Sequence, residues 1–172
     1  MNSHKFRPFL VITLLILPYT MFAENNNSIQ FGENWSVSWE FVADTIEFTM
    51  IAPTTGWIAI GFNPSRMMKD ASYVLSYVDE GKVFIREDFG TGNTSHRSDL
   101  SLGGSEMVKA LSFKEEPNKT TITFSLPLDS KDAYDTVFVQ GKTYTMLSAY
   151  GRNNAKNFTS LHRKRASAKV NL

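Results

Sequence analysis

The chain has 172 residues, no cysteine, and 18 Lys and Arg against 17 Asp and Glu. This length fits one domain, and the absence of cysteine excludes disulfides, a disulfide-linked partner, thiolate metal sites, thiol catalysis and covalent c-type haem attachment. The near-neutral charge argues against nucleic acid as a partner.

The first 23 residues are typical of a secretory signal peptide. Lys5 and Arg7 precede an apolar run from Phe9 to Phe22, and polar residues follow Ala23. That run is short for a membrane span, although an uncleaved anchor is the alternative. Cleavage near Ala23 predicts a secreted or periplasmic protein with a single domain at 24–172. Loss of two basic residues with the signal leaves 16 against 17 acidic ones.

The remainder of the chain has the pattern of β-strands. Apolar and polar residues alternate from Trp35 to Phe41, from Ile46 to Met50 and from Ile122 to Leu126, which is typical of half-buried strands. Two runs, 57–62 and 73–78, are apolar on both faces and predict central strands that are covered on both sides. Turn residues separate these runs at short intervals, so we expect an all-β sandwich or barrel.

Two stretches lack strand patterning, 90–105 and 152–165, and are predicted to be long loops. They carry the two histidines that remain outside the signal, His96 and His162. The cluster from His162 to Arg165 is interpreted as a solvated basic loop or terminal segment, with an anion site as the alternative. No nucleophile elbow is present, so we expect no hydrolytic triad.

Met67 and Met68 stand in a polar loop between two apolar strands. Core packing gives no obvious reason for methionine at this position. Gap filling in the core is one interpretation, because the flexible thioether suits it. Ligation of a soft metal is the other.

Several motifs in chain order carry a family resemblance: Trp35, Thr54-Thr55-Gly56-Trp57-Ile58-Ala59-Ile60-Gly61-Phe62, Met68-Lys69-Asp70-Ala71, Asp79-Glu80-Gly81-Lys82-Val83, Asp88-Phe89-Gly90, and His162 with Arg165. Together they resemble the DOMON family of exported domains, which includes the cytochrome domain of fungal cellobiose dehydrogenase. The resemblance spans essentially the whole chain after the signal and implies an immunoglobulin-like antiparallel β-sandwich. Asp70-Ala71-Ser72 departs from the Gly-Ala-Asp that family members often carry.

The resemblance implies a b-type cytochrome domain in which a methionine and a histidine ligate non-covalent haem b. Haem-binding members supply the methionine from the loop after the Gly-Trp strand and the histidine from near the domain's end, which correspond here to Met68 and His162. Met67 is the alternative ligand, because the loop alignment could slip by one residue. Such ligation leaves no position for substrate, so the implied activity is outer-sphere electron transfer and not catalysis.

Aromatic residues are expected to line the haem, although each is also compatible with ordinary core packing: Trp57, Phe62, Tyr73 and Phe158. Arg163 or Arg165 is expected to pair with a propionate or to lie in solvent. His96 is interpreted as a surface residue, a group beside the haem or an alternative axial ligand.

Two rival functions remain open. Some DOMON-like domains are thought to bind sugars or other small ligands without haem, and Trp57 would then stack on a ring. Copper bound by methionine and histidine is the third hypothesis, with Met67, Met68, His96 and His162 as ligands. Under the cytochrome hypothesis the partner is a redox protein, such as a membrane cytochrome or a dehydrogenase.

Overall fold

The computed structural model describes residues 27–172. The predicted signal peptide, 1–23, lies outside the described residues. Within 27–172 no helix is both long and apolar enough to cross a membrane. The elements in chain order are β1 Ser28–Gly32, β2 Trp35–Val42, β3 Thr45–Ala52, β4 Ile58–Phe62, β5 Ser72–Asp79, β6 Lys82–Gly92, β7 Ser95–Ser98, α1 Asp99–Leu102, β8 Lys109–Glu116, β9 Lys119–Pro127, β10 Thr143–Gly151 and β11 His162–Asn171.

The strands form two antiparallel sheets. One sheet has the order β1-β2-β3-β9-β8 and the other has the order β11-β10-β4-β5-β6-β7. The sheets pack face to face and enclose the main core, in which Phe48 of the first sheet contacts Phe62 of the second with 5.2 Å between ring centroids. The predicted all-β antiparallel sandwich is confirmed.

The half-buried strands follow their sequence pattern. Trp35, Val37 and Trp39 of β2 are buried while the residues between them are partly exposed, and β3 and β9 alternate in the same way. Tight turns join neighbouring strands where turn residues were expected, and Ala43 and Asn118 adopt the left-handed backbone conformation there. One face of the five-stranded sheet therefore lies on the main core.

The two runs that are apolar on both faces are the central strands of the six-stranded sheet, as predicted. Every residue of β4 is buried, and β4 and β5 lie side by side in the middle of the sheet order. Ile58, Ile60 and Phe62 belong to the main core, whereas Ala59 belongs to a second cluster on the opposite face. The six-stranded sheet is therefore apolar on both of its faces.

Both predicted long loops contain regular structure, so these two predictions are partly wrong. The stretch 90–105 includes the end of β6, all of β7 and the short helix α1, whose first turn is capped by the Ser98 side chain. In the stretch 152–165 only the first ten residues are irregular, because β11 begins at His162. The basic cluster 162–165 therefore lies in an edge strand and not in a loop. Its exposed charged side chains carry no strand periodicity, which explains the error.

Candidate functional site

A second apolar cluster covers the outer face of the six-stranded sheet. We call it the outer-face cluster; its buried members are Trp57, Ala59, Ala71, Tyr73 and Leu75, and its partly buried members are Met68, Tyr77, Leu147, Ala149, Ala155 and Phe158. A sandwich needs only its inner faces to be apolar, and an outer face ordinarily meets water. The outer-face cluster is therefore the first candidate for a binding site.

Glycines let aromatic rings lie directly on the sheet in this cluster. A Cβ added at Gly61 would overlap the Tyr73 ring, and a Cβ added at Gly151 would overlap the indole of Trp57. Gly61 is the cross-strand neighbour of Tyr73, so the ring crosses the adjacent strand. These close approaches give a physical reason for the second glycine of the Gly-Trp-x-Ala-x-Gly-Phe motif.

The two methionines have different surroundings. They occupy the tip of a tight turn closed by a hydrogen bond from Lys69 N to Arg66 O (2.9 Å). Met67 has a left-handed backbone (φ 54°) and is 49% exposed, whereas Met68 packs against the outer-face cluster. The hydroxyl of Tyr73 donates to Met68 O at 3.2 Å and ties the turn to the cluster. Met68, and not Met67, is thus the methionine that meets the aromatic residues.

The irregular segment 152–161 covers the other end of the cluster. Trp57 N donates to Ala155 O (3.1 Å), and Thr55 N donates to Asn153 Oδ1 (3.2 Å), so the segment is anchored to the residues just before β4. Phe158 packs on Tyr77, with 4.9 Å between ring centroids. The segment therefore forms a wall of the site.

His162 and Arg165 border the same face along β11. His162 is paired with Gly151, the glycine covered by Trp57, and Arg165 is paired with Ala149 of the cluster. Residues that are directly opposite in a sheet share a face. Both side chains are exposed. His162 thus stands at the Trp57 end of the cluster and Met68 at the Tyr73 end.

Phe62 is the predicted site residue that the structure separates from the others. It is 1% exposed and lies in the main core, where its ring packs on Phe48 and Phe138. Because side chains alternate along β4, Phe62 and Trp57 cannot face the same side. Trp57, Tyr73, Met68 and Phe158 are brought together.

Trp57 carries an unusual polar feature for a buried residue. Its Nε1 is buried and has no hydrogen-bond partner among the described residues, as is also true of Trp39 Nε1 in the main core. A buried N–H without an acceptor is rare, because it forfeits its hydration without compensation. This N–H is a free donor inside an otherwise apolar site.

Sequence reasoning missed the role of Asp88. Asp88 is fully buried on the outer face of β6, where Arg86 Nε and Nη2 donate to its two oxygens at 2.5 and 2.8 Å and His96 Nδ1 also pairs with it. Arg86 lies 4.4 Å from the ring centroid of Phe158, and the ring of His96 lies 6.2 Å from that of Tyr73. His96 is therefore held beside the cluster. The spacing Arg86-x-Asp88 within a strand could have predicted this ion pair, because alternate residues of a strand share a face.

Burial shifts the protonation of two acids on the main-core side of this sheet. Burial raises the pKa of Glu87 to about 7, although Val108 N and Met107 N donate to its carboxylate. Burial, and then the neighbouring charges of Asp135 and Glu87, raise the pKa of Asp99 to about 8. Burial also raises the pKa of Tyr73, so its phenol remains a donor to Met68 O. Tyr73 therefore stays protonated near neutral pH.

The donor set fits haem better than a hard metal ion. The outer-face cluster offers a thioether, apolar and aromatic walls, one free N–H at Trp57 and an arginine at its border. A neutral imidazole and a thioether suit haem iron, and an arginine suits a propionate. In residues 27–172 no group of three or more His, Cys, Asp or Glu is placed to hold a metal ion.

Comparison with a family model identifies the domain type. The model of the DOMON domain matches residues 32–151, which include β2 to β10. The chain is 22% identical over 125 residues to MOXD1 homolog 2 of Drosophila melanogaster, covering 73% of this chain and 16% of that protein. It is 24% identical over 147 residues to DBH-like monooxygenase protein 2 of Mus musculus, covering 85% and 22%. The chain thus spans less than a quarter of the length of these curated relatives.

Two solved structures share the fold. One is the cytochrome b domain of pyranose dehydrogenase from Coprinopsis cinerea, with a TM-score of 0.55 and 13% identity over 79% of this chain and 74% of that chain. The other is the cytochrome domain of Myriococcum thermophilum cellobiose dehydrogenase, with a TM-score of 0.60 and 10% identity over 80% and 74%. At these identities the likeness establishes the fold alone.

Proposed function

This chain belongs to the DOMON domain family, and from that premise we propose that it is an exported b-type cytochrome domain that transfers electrons to a redox partner. The proposed ligands of haem b are Met68 and His162. The observation that carries the proposal is the outer-face cluster, because Met68 packs on it at one end and His162 borders it at the other. A domain without a ligand would have no evident need for an apolar outer face here.

The strand geometry supports this pair of ligands. Tyr73, which holds the Met68 turn, lies over Gly61, and Trp57 lies over Gly151 opposite His162. Gly61 and Trp57 are four residues apart, which is roughly 13 Å along a strand. His162 and the Met68 turn therefore lie at diagonally opposite corners of the outer-face cluster, separated along the strands and also across β10 and β4. The names of the two fold neighbours, both cytochrome domains, agree with the proposal.

Haem, when bound, supplies one-electron chemistry, and a thioether ligand favours the ferrous state and raises the reduction potential. The protein's own residues would bind the haem, position its ligands and exclude water. Trp57 Nε1, a buried donor without an acceptor, would donate to a polar group of the haem, and Arg165, at the border of the cluster, would pair with a propionate. Tyr73 fixes the backbone of Met68, and the rings of Trp57 and Phe158 exclude water.

The proposal concerns electron transfer alone. Monooxygenase activity in the relatives' names belongs to proteins of which this chain matches less than a quarter. If Met68 and His162 both ligate the iron, no position would be left for oxygen or substrate. The electron would leave through the haem edge to a partner such as a membrane cytochrome or a dehydrogenase.

The test is the visible spectrum of the protein exported into a haem-replete periplasm, recorded oxidised and after dithionite. We expect a sharp low-spin reduced spectrum in the wild type. Met68→Ala and His162→Ala should each lose haem or become high-spin, because each removes one axial ligand. Met67→Ala and His96→Ala are the matched controls and should keep the low-spin spectrum.

Each departure from this result has a definite meaning. If Met67→Ala loses the low-spin spectrum and Met68→Ala keeps it, the methionine ligand is Met67 and not Met68. The same loss in His96→Ala, but not in His162→Ala, would assign His96 as the axial ligand. A colourless wild type that also fails to take up added haemin would contradict the cytochrome function and favour a sugar-binding module.

A further inference from the structure

Charge is distributed unevenly along this near-neutral chain. Residues 27–65 contain four acidic side chains and no Lys or Arg: Glu33, Glu40, Asp44 and Glu47. Residues 152–172 contain six basic side chains and no Asp or Glu: Arg152, Lys156, Arg163, Lys164, Arg165 and Lys169. Charges of one sign are thus concentrated at each end of the described chain.

The fold places the basic end beside the candidate haem site. The final strand, β11, is an edge strand of the six-stranded sheet. Arg165 pairs with Ala149 and Lys169 pairs with Thr145, so both stand on the outer face. Arg66 and Lys69, which flank the two methionines, add exposed positive charge at the other end of the cluster. Cations therefore border the outer-face cluster on two sides.

Most of these cations have no counter-charge. Lys114, Lys119, Lys131 and Lys156 each pair with a carboxylate, whereas the arginines and lysines of β11 pair with none in the part of the chain that the structure describes. Three adjacent like charges at 163–165 repel one another, and this repulsion opposes folding. Such an arrangement is better explained by a partner of opposite charge.

Protection of the sheet edge does not explain why all the charged side chains of β11 are positive. Charged side chains on an edge strand, lysine most often, prevent pairing with another chain, but this purpose does not require a run of charges of one sign. The edge strand of the other sheet, β8, carries Lys109 and Lys114 together with Glu115 and Glu116. The uniform charge of β11 is therefore a separate feature.

An apolar anchor stands next to the ligand histidine. Leu161 is 86% exposed, the most exposed of the large apolar side chains described, and it directly precedes His162. Arginine is enriched in protein interfaces, and Leu161 adds apolar contact area beside the arginines of β11. A basic cluster alone gives only weak and reversible membrane binding, and stable attachment needs a broad apolar face as well.

We infer that this basic surface, formed by 152–169, docks an acidic redox protein along the β11 edge of the haem site, beside His162. The inference rests on the proposed function and adds the charge of the partner and the place of contact. Opposite charges steer the two proteins together and orient the haem edge toward the partner's redox centre. Docking should therefore be fast at low salt and slow at high salt.

The test uses a reduced, acidic plant-type [2Fe–2S] ferredoxin as the electron donor and the oxidised full-length holoprotein as acceptor. One electron passes from the reduced cluster to the ferric haem, and the reaction is followed by the ferrous haem spectrum. Arg152→Glu/Lys169→Glu reverses two charges of the surface without touching a proposed ligand. Lys109→Glu/Lys114→Glu on β8 makes the same change of charge on the other sheet.

The two double variants should behave differently. At about 10 mM ionic strength, where screening is weak, we expect the second-order rate of Arg152→Glu/Lys169→Glu to fall at least ~tenfold. The β8 control should stay within about twofold of wild type, and about 300 mM salt should abolish the difference. An equal loss in both variants, or a wild-type rate that salt does not change, would overturn the inference.

Failure of the inference can be distinguished from failure of the proposed function. If the protein carries no haem, docking is measured by amide NMR shifts on adding gallium-substituted ferredoxin, which is acidic and redox-inert. Shifts within 152–169 support the surface, and their absence overturns it. Sedimentation with phosphatidylglycerol vesicles, without any rate or shift from ferredoxin, would assign the surface to a membrane and also overturn the inference.

Discussion

The two faces of the six-stranded sheet are built from the same strands but in opposite ways. On the inner face, Ile58, Ile60 and Phe62 fill the space between the sheets, and their rings and methyl groups contact large residues of the other sheet. On the outer face, the same strand presents Ala59 and Gly61, and rings from neighbouring segments lie on them. The inner face of β4 therefore presents large side chains that pack against the other sheet. Its outer face presents small residues that are covered by aromatic rings from neighbouring segments.

This difference indicates that the inner face mainly stabilises the fold and that the outer face mainly serves ligand binding. Burial of large side chains between the sheets supplies most of the hydrophobic stabilisation, since it scales with the apolar area removed from water. The outer-face cluster adds area as well, but it leaves a donor unpaired at Trp57 and places a thioether in contact with rings. We therefore expect inner-face substitutions to change stability and outer-face substitutions to change ligand binding.

The largest effect is expected for a pair of phenylalanines. Phe62→Ala removes a 1%-exposed ring from the main core and should lower the free energy of unfolding by about 3–5 kcal/mol. Phe158→Ala removes a partly exposed ring and should lower it by less than about 1.5 kcal/mol while weakening haem retention. Urea unfolding and the haem-to-protein absorbance ratio measure the two outcomes. Equal destabilisation by both changes would remove the distinction between the faces.

A smaller effect is expected at the glycine beneath Tyr73. Gly61→Ala places a methyl group against the ring of Tyr73, which must shift, and this overpacking should destabilise the protein by about 1–3 kcal/mol. Because Tyr73 holds the Met68 turn, the low-spin haem spectrum should weaken as well. Gly81→Ala, at an open turn with φ 71°, is the matched control and should lower stability without altering the spectrum. An unchanged spectrum in Gly61→Ala would show that Tyr73 does not position the ligand.

A further effect, which depends on pH, concerns acids on the inner side of β6. Asp88 on the outer face is neutralised by Arg86, whereas Glu87 beside it and Asp99 lie buried without a cation. The folded pKa of Asp99, about 8, exceeds its ordinary value of 3.8, so the protonated form is favoured on folding. The contribution of protonated Asp99 to the free energy of unfolding is fully present below pH 4 and is lost as the pH rises toward 8. The contribution of protonated Glu87 is lost in the same way between pH 4.5, its ordinary pKa, and pH 7, near its raised pKa of about 7.

Asp99→Asn should therefore stabilise the protein at pH 8 by at least ~1.4 kcal/mol, which corresponds to one pKa unit, and should flatten the decline of stability between pH 5 and 8. Thermal unfolding at several pH values measures this effect. Asp129→Asn is the control, because pairing with Lys131 lowers the pKa of Asp129 and its titration lies below that range. A slope that Asp99→Asn leaves unchanged would show that Asp99 ionises freely in the folded state.

Sequence patterning predicted the sandwich wherever one face of a strand is buried. Alternation located β2, β3 and β9, and the runs without alternation located the central strands β4 and β5. It failed for β7 and β11, because these are edge strands whose side chains are mostly exposed and carry no hydrophobic period. Edge pairing depends on backbone hydrogen bonds to a neighbouring strand, and single-strand patterns do not report these bonds.

By itself, the sequence determined the class of fold and the residue types that a haem would need. Hydrophobic periodicity encodes burial directly, and the motif around Trp57 with its later methionine and histidine carried the family resemblance. Only the tertiary structure decided which face each aromatic residue meets, that Met68 packs on the cluster while Met67 is exposed, and that Asp88 holds His96. These relations join segments distant in the chain, and they depend on strand register and turn conformation, which local sequence does not specify.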